Sequence, residues 1–257
     1  LSRRSARPKN TKYRRAVILL ALVLALFVYL YRLNSRPKEP QAIERLRSTP
    51  DVTVLLVDPA KVELCPVIAE SRDGETFEDM MKRLKPDAAI NGTFFDENLR
   101  PLGDILADGR LINKGHYPNA LAVTDSNRVA IIRGTRRKIN WTGYKAGIAA
   151  GPRLVTSGKV HLDPAADGFR MASLTISARR SGVGITNDGK LMLVCTHRAF
   201  TLREFAALMI NYGAVEALNF DGGAACGLYM DGKVLASPAL RMASILAVYK
   251  KTRHINR

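Results

Sequence analysis

The sequence predicts an α+β domain, rich in strands, with mixed or antiparallel sheets joined by hairpins and two main helices, preceded by one N-terminal transmembrane helix. Three observations carry that expectation. Short apolar runs repeatedly flank glycine-bearing turns, the signature of hairpins. Only two segments after residue 50 combine an N-cap residue with apolar positions at helical spacing. Ala16 to Tyr31, AVILLALVLALFVYLY, is an uninterrupted apolar run of 16 residues.

Residues 1–15 read as a basic cytoplasmic tail, with Arg3, Arg4, Arg7, Lys9, Lys12, Arg14 and Arg15. As a helix the apolar run spans roughly 24 Å, and with Leu33 and the snorkelling Arg15 and Arg32, residues 16–33 read as a membrane anchor. A cleaved signal peptide shares the basic start, but Phe27 to Leu33 offers no small-x-small cleavage site, and Tyr29 and Tyr31 fit an interfacial belt. Positive charge before the span places the N-terminus in the cytoplasm, so a single-pass protein with a periplasmic or extracellular domain is expected. Residues 34–50, with Pro37, Pro40 and Pro50, read as a linker, and 51–257 as one domain able to bury its own core.

Val52 to Val57 is an apolar, β-branched first strand. Thr76 to Leu84 is a helix, with Thr76 and Asp79 at capping-box spacing and Pro86 to end it. Ala88 to Ile90 is a short strand running into Asn91-Gly92. Hairpins follow around Asp108-Gly109, Thr124 to Arg128, Ser157-Gly158, Asn187 to Gly189 and Asp231-Gly232, and Ser244 to Tyr249 closes the chain as a last strand.

The formal charge of +17 suggests nucleic acid until it is located: residues 1–38 hold ten Lys or Arg and no acid, leaving +7 for the rest. No basic stripe interleaved with aromatics follows, so no nucleic-acid partner is expected. Cys65, Cys195 and Cys226 allow one disulfide in an exported domain, but spacing selects no pair. Neither a Cys-x-x-Cys nor a His-Glu-x-x-His pattern is present. Cys226 reads as a small buried filler rather than a nucleophile, since no base stands beside it in the sequence.

The domain is organised around Thr201 to Tyr229. Thr201 and Glu204 form a capping box, Leu202, Phe205, Leu208 and Met209 recur at helical spacing, and Gly213 sits where the helix stops. Ala214 to Phe220 is then a buried strand that delivers Asn219 and Asp221 to its end, where Gly222 and Gly223 permit tight backbone and room for a ligand. An Asp-Gly turn with no further role is the plainer alternative. Asn91-Gly92 at the end of an earlier strand parallels this arrangement, so the two strand ends could face one cleft. Asp104, His116, Asn119, Arg153, Arg179, Arg180 and Arg241 are polar outliers in or beside loops. Arg180 directly precedes an apolar strand, from which its guanidinium could meet phosphate.

Six motifs in order resemble the phosphodiester glycosidase family. They are Asn-Gly-x-Phe-Phe (Asn91 to Phe95), Gly-Asp-Ile-x-x-Asp-Gly (Gly103 to Gly109), Gly-Pro-x-Leu-Val (Gly151 to Val155), Arg-x-x-Val-Gly-Ile (Arg180 to Ile185), the Thr-Leu-x-Glu helix start, and Leu-Asn-x-Asp-Gly-Gly. The resemblance runs from about Asp87 to Tyr249. It implies hydrolysis of the glycosidic bond of a phosphodiester-linked sugar, in a site lined by Asn91, Gly92, Asp104, Arg180, Asn219, Asp221, Gly222 and Gly223. The sequence departs from the family pattern at Thr93, at Ala224-Ala225 and at Ser244, where a glycine, a Gly-Ser pair and an asparagine are usual.

On that basis Asp221, with Asp104 as partner, would stabilise or attack an oxocarbenium-like sugar carbon. Arg180 would meet the leaving phosphodiester, Asn91 and Asn219 would orient substrate oxygens, and His116 is an auxiliary candidate. The clustered oxygens could also hold a divalent cation such as calcium. The expected partner is an envelope glycan or glycolipid, with a non-catalytic glycan-binding protein or a membrane-anchored scaffold as alternatives.

Overall fold

The fold is that of a computed structural model, which describes residues 11–34, 41–135, 138–169 and 176–251. The chain divides into two compact units, Leu1–Pro40 and Gln41–Arg257. In the first, α1 runs over Thr11–Asn34, and its side chains from Val17 to Tyr29 are exposed. Among the described residues no helix is long and apolar enough to cross a membrane. The side chains of Ala16, Leu30, Arg32 and Leu33, which would complete the expected span, lie outside those described, as do the first ten residues of the basic tail. The apolar run is thus helical, but the transmembrane assignment of residues 16–33 is unsupported by the structure.

The second unit contains, in chain order, β1 (Ile43–Ser48), β2 (Val52–Val57), β3 (Val62–Ile68), α2 (Phe77–Leu84), β4 (Ala88–Asn91), β5 (Ile105–Ala107), β6 (Arg110–Asn113), β7 (Asn119–Thr124), β8 (Val129–Arg133) and β9 (Tyr144–Ala150). Then come β10 (Arg153–Thr156), β11 (Lys159–Val160), β12 (Ser181–Thr186), β13 (Leu191–Thr196), α3 (Leu202–Asn211), β14 (Ala214–Asn219), β15 (Leu228–Met230), β16 (Lys233–Ala236) and β17 (Ser244–Lys250). They form a seven-stranded sheet ordered β1-β2-β13-β12-β14-β10-β11 and two five-stranded sheets, β16-β15-β4-β17-β3 and β6-β5-β9-β7-β8. Every pairing between these strands is antiparallel, which removes the mixed alternative.

The three sheets turn one face each toward a common core. Leu55, Leu193 and Leu218 come from the first sheet, Ile90 and Leu246 from the second, Leu121 and Ile148 from the third. Strands here bury both faces and so read as continuous apolar runs. In β2, Leu55 and Val57 face the common core, while Val52, Val54 and Leu56 alternate outward to meet Leu202, Phe205 and Met209 of α3. In β17, Leu246 and Val248 face the core, and Ile245 and Ala247 meet Phe77 and Met80 of α2. The third sheet is covered on its outer side by Tyr117 with Phe94, Trp141 and Phe169.

Both domain helices start as their sequences specify. The Thr201 hydroxyl accepts from the Glu204 amide at 3.2 Å, and the Glu204 carboxylate accepts from the Thr201 amide at 2.8 Å. Thr76 caps α2 through the Asp79 amide at 3.1 Å. Gly213, at φ +97°, ends α3 in the left-handed region.

Three differences from the sequence expectation have local causes. The linker expected through residue 50 is shorter, because Ile43 is buried and leads β1 onto β2 as an edge strand whose Glu44, Arg45 and Arg47 face outward. β3 carries Pro66, which weakens a strand reading; its place at the edge of its sheet leaves the missing amide harmless. β9 reads Tyr-Lys-Ala-Gly-Ile-Ala-Ala, small because Gly147 lies against the Trp141 ring, which an added Cβ would approach to 2.2 Å.

Candidate active site

The ends of β4 and β14 belong to different sheets and are stitched together by their own polar groups. The Asp221 amide donates to the Gly92 carbonyl at 3.3 Å. The Asp221 carbonyl accepts from Asn91 Nδ2 at 2.7 Å and from Ser181 Oγ at 2.8 Å. Asn91 Oδ1 in turn accepts from the Gly227 amide at 3.1 Å. Asn91 is therefore a backbone bridge, buried and fully engaged. Asn219 does similar work one strand end away: its Nδ2 donates to Gly151 O at 3.1 Å and Phe220 O at 2.8 Å, while its Oδ1 is buried without a partner.

The glycines are required by close approach. A Cβ on Gly92 would lie 2.3 Å from Ser244 Oγ and 2.8 Å from Ser244 O. One on Gly222 would lie 2.7 Å from Arg179 O, and Gly223 combines a φ of +59° with an amide donated to that same carbonyl at 2.7 Å.

This scaffold holds a half-buried Asp221. Burial pushes its carboxyl up to about 7, against the opposing pull of the Gly222 amide. No cation pairs with it among the described residues. A carboxyl that exchanges its proton near neutrality is suited to general acid or base chemistry.

Arg180 lies behind the turn, 8% exposed. Its Nε donates to Phe200 O at 2.8 Å and its Nη2 to Ile176 O, and burial lowers its pKa. Its guanidinium is thus anchored on carbonyls. Arg179 braces the same turn through Cys226 O at 3.2 Å, Ser237 O at 3.3 Å and Thr196 O at 3.3 Å.

The Asp104 carboxylate is held by donors of its own. Its Oδ1 accepts from the Gly115 amide at 2.7 Å and its Oδ2 from Trp141 Nε1 at 2.9 Å, and no interaction joins it to Asp221 among the described residues. His116 follows Gly115, exposed, with its ring 4.7 Å from Tyr117. The structure therefore brings together Asn91, Gly92, Asn219, Asp221, Gly222 and Gly223 and backs them with Arg180, while Asp104 ends the connection from β4 to β5 and His116 lies in the connection from β6 to β7.

Sequence reasoning missed Ser181 and Tyr117. Ser181 carried a weak signal, a serine opening an apolar strand directly after Arg180. Tyr117 is buried, and both its own burial and the nearby Asp221 carboxylate push its phenol up to about 12. The departures from the family pattern also find places. Thr93 Oγ1 and Ser244 Oγ are buried without partners beside the strand ends, and Ala225 packs with Phe77 and Ile245 beneath α2. Cys195 and Cys226 lie together in the core, whereas Cys65 belongs to β3; all three are free thiols. Among the described residues no group of three or more His, Cys, Asp or Glu side chains could hold a metal ion. A cavity of about 710 Å³ between the Ile68–Asp73 and Glu97–Pro101 loops touches none of these site residues.

A family model described as phosphodiester glycosidase matches residues 85–249, more than half of the chain. No curated protein matches the chain. Among solved structures, a hypothetical protein from Synechocystis superposes with a TM-score of 0.71 at 17% identity, over 84% of this chain and 65% of its own. The zebrafish N-acetylglucosamine-1-phosphodiester α-N-acetylglucosaminidase catalytic domain, auto-inhibited by its pro-peptide, superposes with a TM-score of 0.69 at 16% identity, over 84% of this chain and 86% of its own. At these identities the superpositions show a shared fold.

Proposed function

The chain belongs to the phosphodiester glycosidase family, and from that premise we propose that it hydrolyses the glycosidic bond of a sugar-1-phosphate diester in an envelope or extracellular glycan or glycolipid. The observation that carries this reading is Asp221: a carboxyl fixed at the junction of two sheets, free of any cationic partner among the described residues, and raised by burial to about 7.

In the proposed reaction Asp221, ionised, takes a proton from a water molecule as the water oxygen bonds to the sugar carbon. The bond from that carbon to the phosphate oxygen breaks, and its electron pair leaves with the phosphate. Phosphate esters are weak bases, so the leaving group departs as an anion with little help from an acid. That dispenses with the second carboxyl of ordinary glycosidases, and it suits the engagement of Asp104 elsewhere. The nearby Arg180 charge, held in place by carbonyls, makes the potential more positive where the negative charge of the leaving phosphate develops. Asn91 and Asn219 fix the turn through backbone carbonyls, Asn91 binding that of Asp221 and Asn219 that of Gly151.

Residues 16–33 are proposed as the membrane anchor on hydropathy and flanking charge alone, which sets the domain outside the cytoplasm. A non-catalytic glycan-binding role is the second reading. It is favoured by the absence, among the described residues, of a carboxylate paired with Asp221. The two part on release of free sugar from a panel of sugar-1-phosphate diesters by the full chain in mild detergent, with and without added divalent cations. Hydrolysis predicts release that Asp221→Asn abolishes. Binding without release by the folded wild type would sink the hydrolase reading.

A further inference from the structure

Tyr117 precedes β7 in the loop that also carries His116, and its ring is 6% exposed. It stacks on Phe169 at 4.8 Å with 7° between planes and meets Phe94 edge-on at 5.6 Å. Two independent paths fix this aromatic cluster against the Asp221 turn. The first runs through Gly92, whose carbonyl accepts the Asp221 amide, with Phe94 two residues further on. The second runs through Asn219, whose side chain binds the Gly151 carbonyl; a Cβ on Gly151 would come within 2.8 Å of the Phe169 ring.

The polar end of Tyr117 is unused. Among the described residues its hydroxyl has no hydrogen-bond partner, and it is not one of the polar atoms sealed from solvent. The nearby Asp221 carboxylate opposes loss of its proton, in addition to the larger effect of burial. At neutral pH the group is therefore a neutral phenol, with its ring clamped by other aromatics near the Asp221 carboxylate. A buried ring with a free, accessible donor is the arrangement expected where a ligand supplies the acceptor.

We propose that the Tyr117 hydroxyl donates a hydrogen bond to a phosphate oxygen of the substrate, making Tyr117 a catalytic residue beside Asp221. This rests on the hydrolase reading for its role in turnover, and on the clamped ring beside the Asp221 turn with its unpartnered hydroxyl for the contact. The phenol transfers no proton: it holds the phosphate in the ground state and strengthens its bond as charge grows on the leaving oxygen. Asp221 accepts the proton of water, so the two groups divide the work between the attacking and the leaving side of the sugar carbon.

The test compares the full chain in mild detergent with Tyr117→Phe, which keeps the ring and its stacking and removes only the oxygen. The first readout is calorimetric binding of N-acetylglucosamine 1-phosphate and of free N-acetylglucosamine. The expected result is affinity for the phosphorylated sugar weakened by about 10-fold, with affinity for the free sugar and thermal unfolding unchanged. The second is turnover of the best sugar-1-phosphate diester, where kcat is expected to fall by about 100-fold. Equal binding of the phosphorylated sugar by both proteins, or no measurable binding by the wild type, overturns the proposal. A binding difference with no turnover by the wild type supports the Tyr117–phosphate contact while overturning the hydrolase reading, so the two fail separately.

Discussion

Asp104 and Asp221 are the same residue type in similar settings. Each neighbours a glycine at the edge of an apolar strand, and each reads from sequence as a catalytic carboxylate. Their environments divide them. Asp104 accepts from Gly115 N and Trp141 Nε1, one donor to each oxygen. Asp221 is supported through its backbone by Asn91, Ser181 and Gly92, while among the described residues its carboxyl meets only the neighbouring Gly222 amide and is raised to about 7. A carboxylate satisfied by two donors ties a loop together. One with a single donor and largely withdrawn from water becomes a proton acceptor that works at neutral pH.

The sharpest way to break this contrast is Asp221→Asn. Sugar release is expected to fall by about 10³-fold, within the range of a lost general base, with the fold retained because the main-chain bonds to Asp221 do not use its carboxyl. A base of this kind also predicts that wild-type kcat/KM rises with pH through about 7 and is level above it. A profile that instead falls through 7 would make Asp221 an acid and invert the proposed direction of proton transfer.

Stability should show the same group with the opposite trend. The folded carboxyl holds its proton up to about 7 and the unfolded one only up to the ordinary carboxylate range, so the folded state binds more protons between them. Stability is thus full below the ordinary range, declines as pH rises toward 7, and levels off above it. Denaturant unfolding at pH 5 and pH 8 should differ by on the order of 3 kcal/mol from this group, and Asp221→Asn should flatten that slope. Gly92→Ala attacks the scaffold rather than the carboxyl. Its Cβ would meet Ser244 Oγ at 2.3 Å, and a loss of about 2 kcal/mol is expected in the same assay, with reduced sugar release as the turn shifts.

What the sequence disclosed follows from the range of the interactions. The Thr201 to Glu204 cap, the Gly213 stop and the Asp108-Gly109 hairpin are local, so their residues announce them. The Asn-Gly and Asp-Gly-Gly strand ends were also legible as site material, because glycine beside a polar residue marks close backbone approach. Their joining was not, since it depends on Asn91 meeting a carbonyl 130 residues away and Ser181 one 40 residues away. Tyr117 was hidden for the same reason: next to His116 it reads as part of a polar loop, and its role depends on Phe94 and Phe169, which only the folded third sheet brings to it. β1 and β3 were lost to ambiguous local chemistry, a charged edge strand in one case and Pro66 in the other.

The smallest expected effect, on Asp104→Asn, is the one that tests the contrast from its other side. Asparagine keeps the shape but replaces one acceptor oxygen by a donor, which leaves either Gly115 N or Trp141 Nε1 facing an N–H. A buried donor without its acceptor costs about 1–3 kcal/mol, so thermal unfolding should come earlier. The chain has a single tryptophan, which makes the emission of Trp141 a direct report on this contact. Sugar release per folded molecule should stay within a few fold of wild type, because among the described residues no interaction joins Asp104 to the Asp221 carboxyl. If instead release collapses while unfolding and Trp141 emission are unchanged, Asp104 serves the chemistry directly. The paired-carboxylate mechanism would then replace the single-base one.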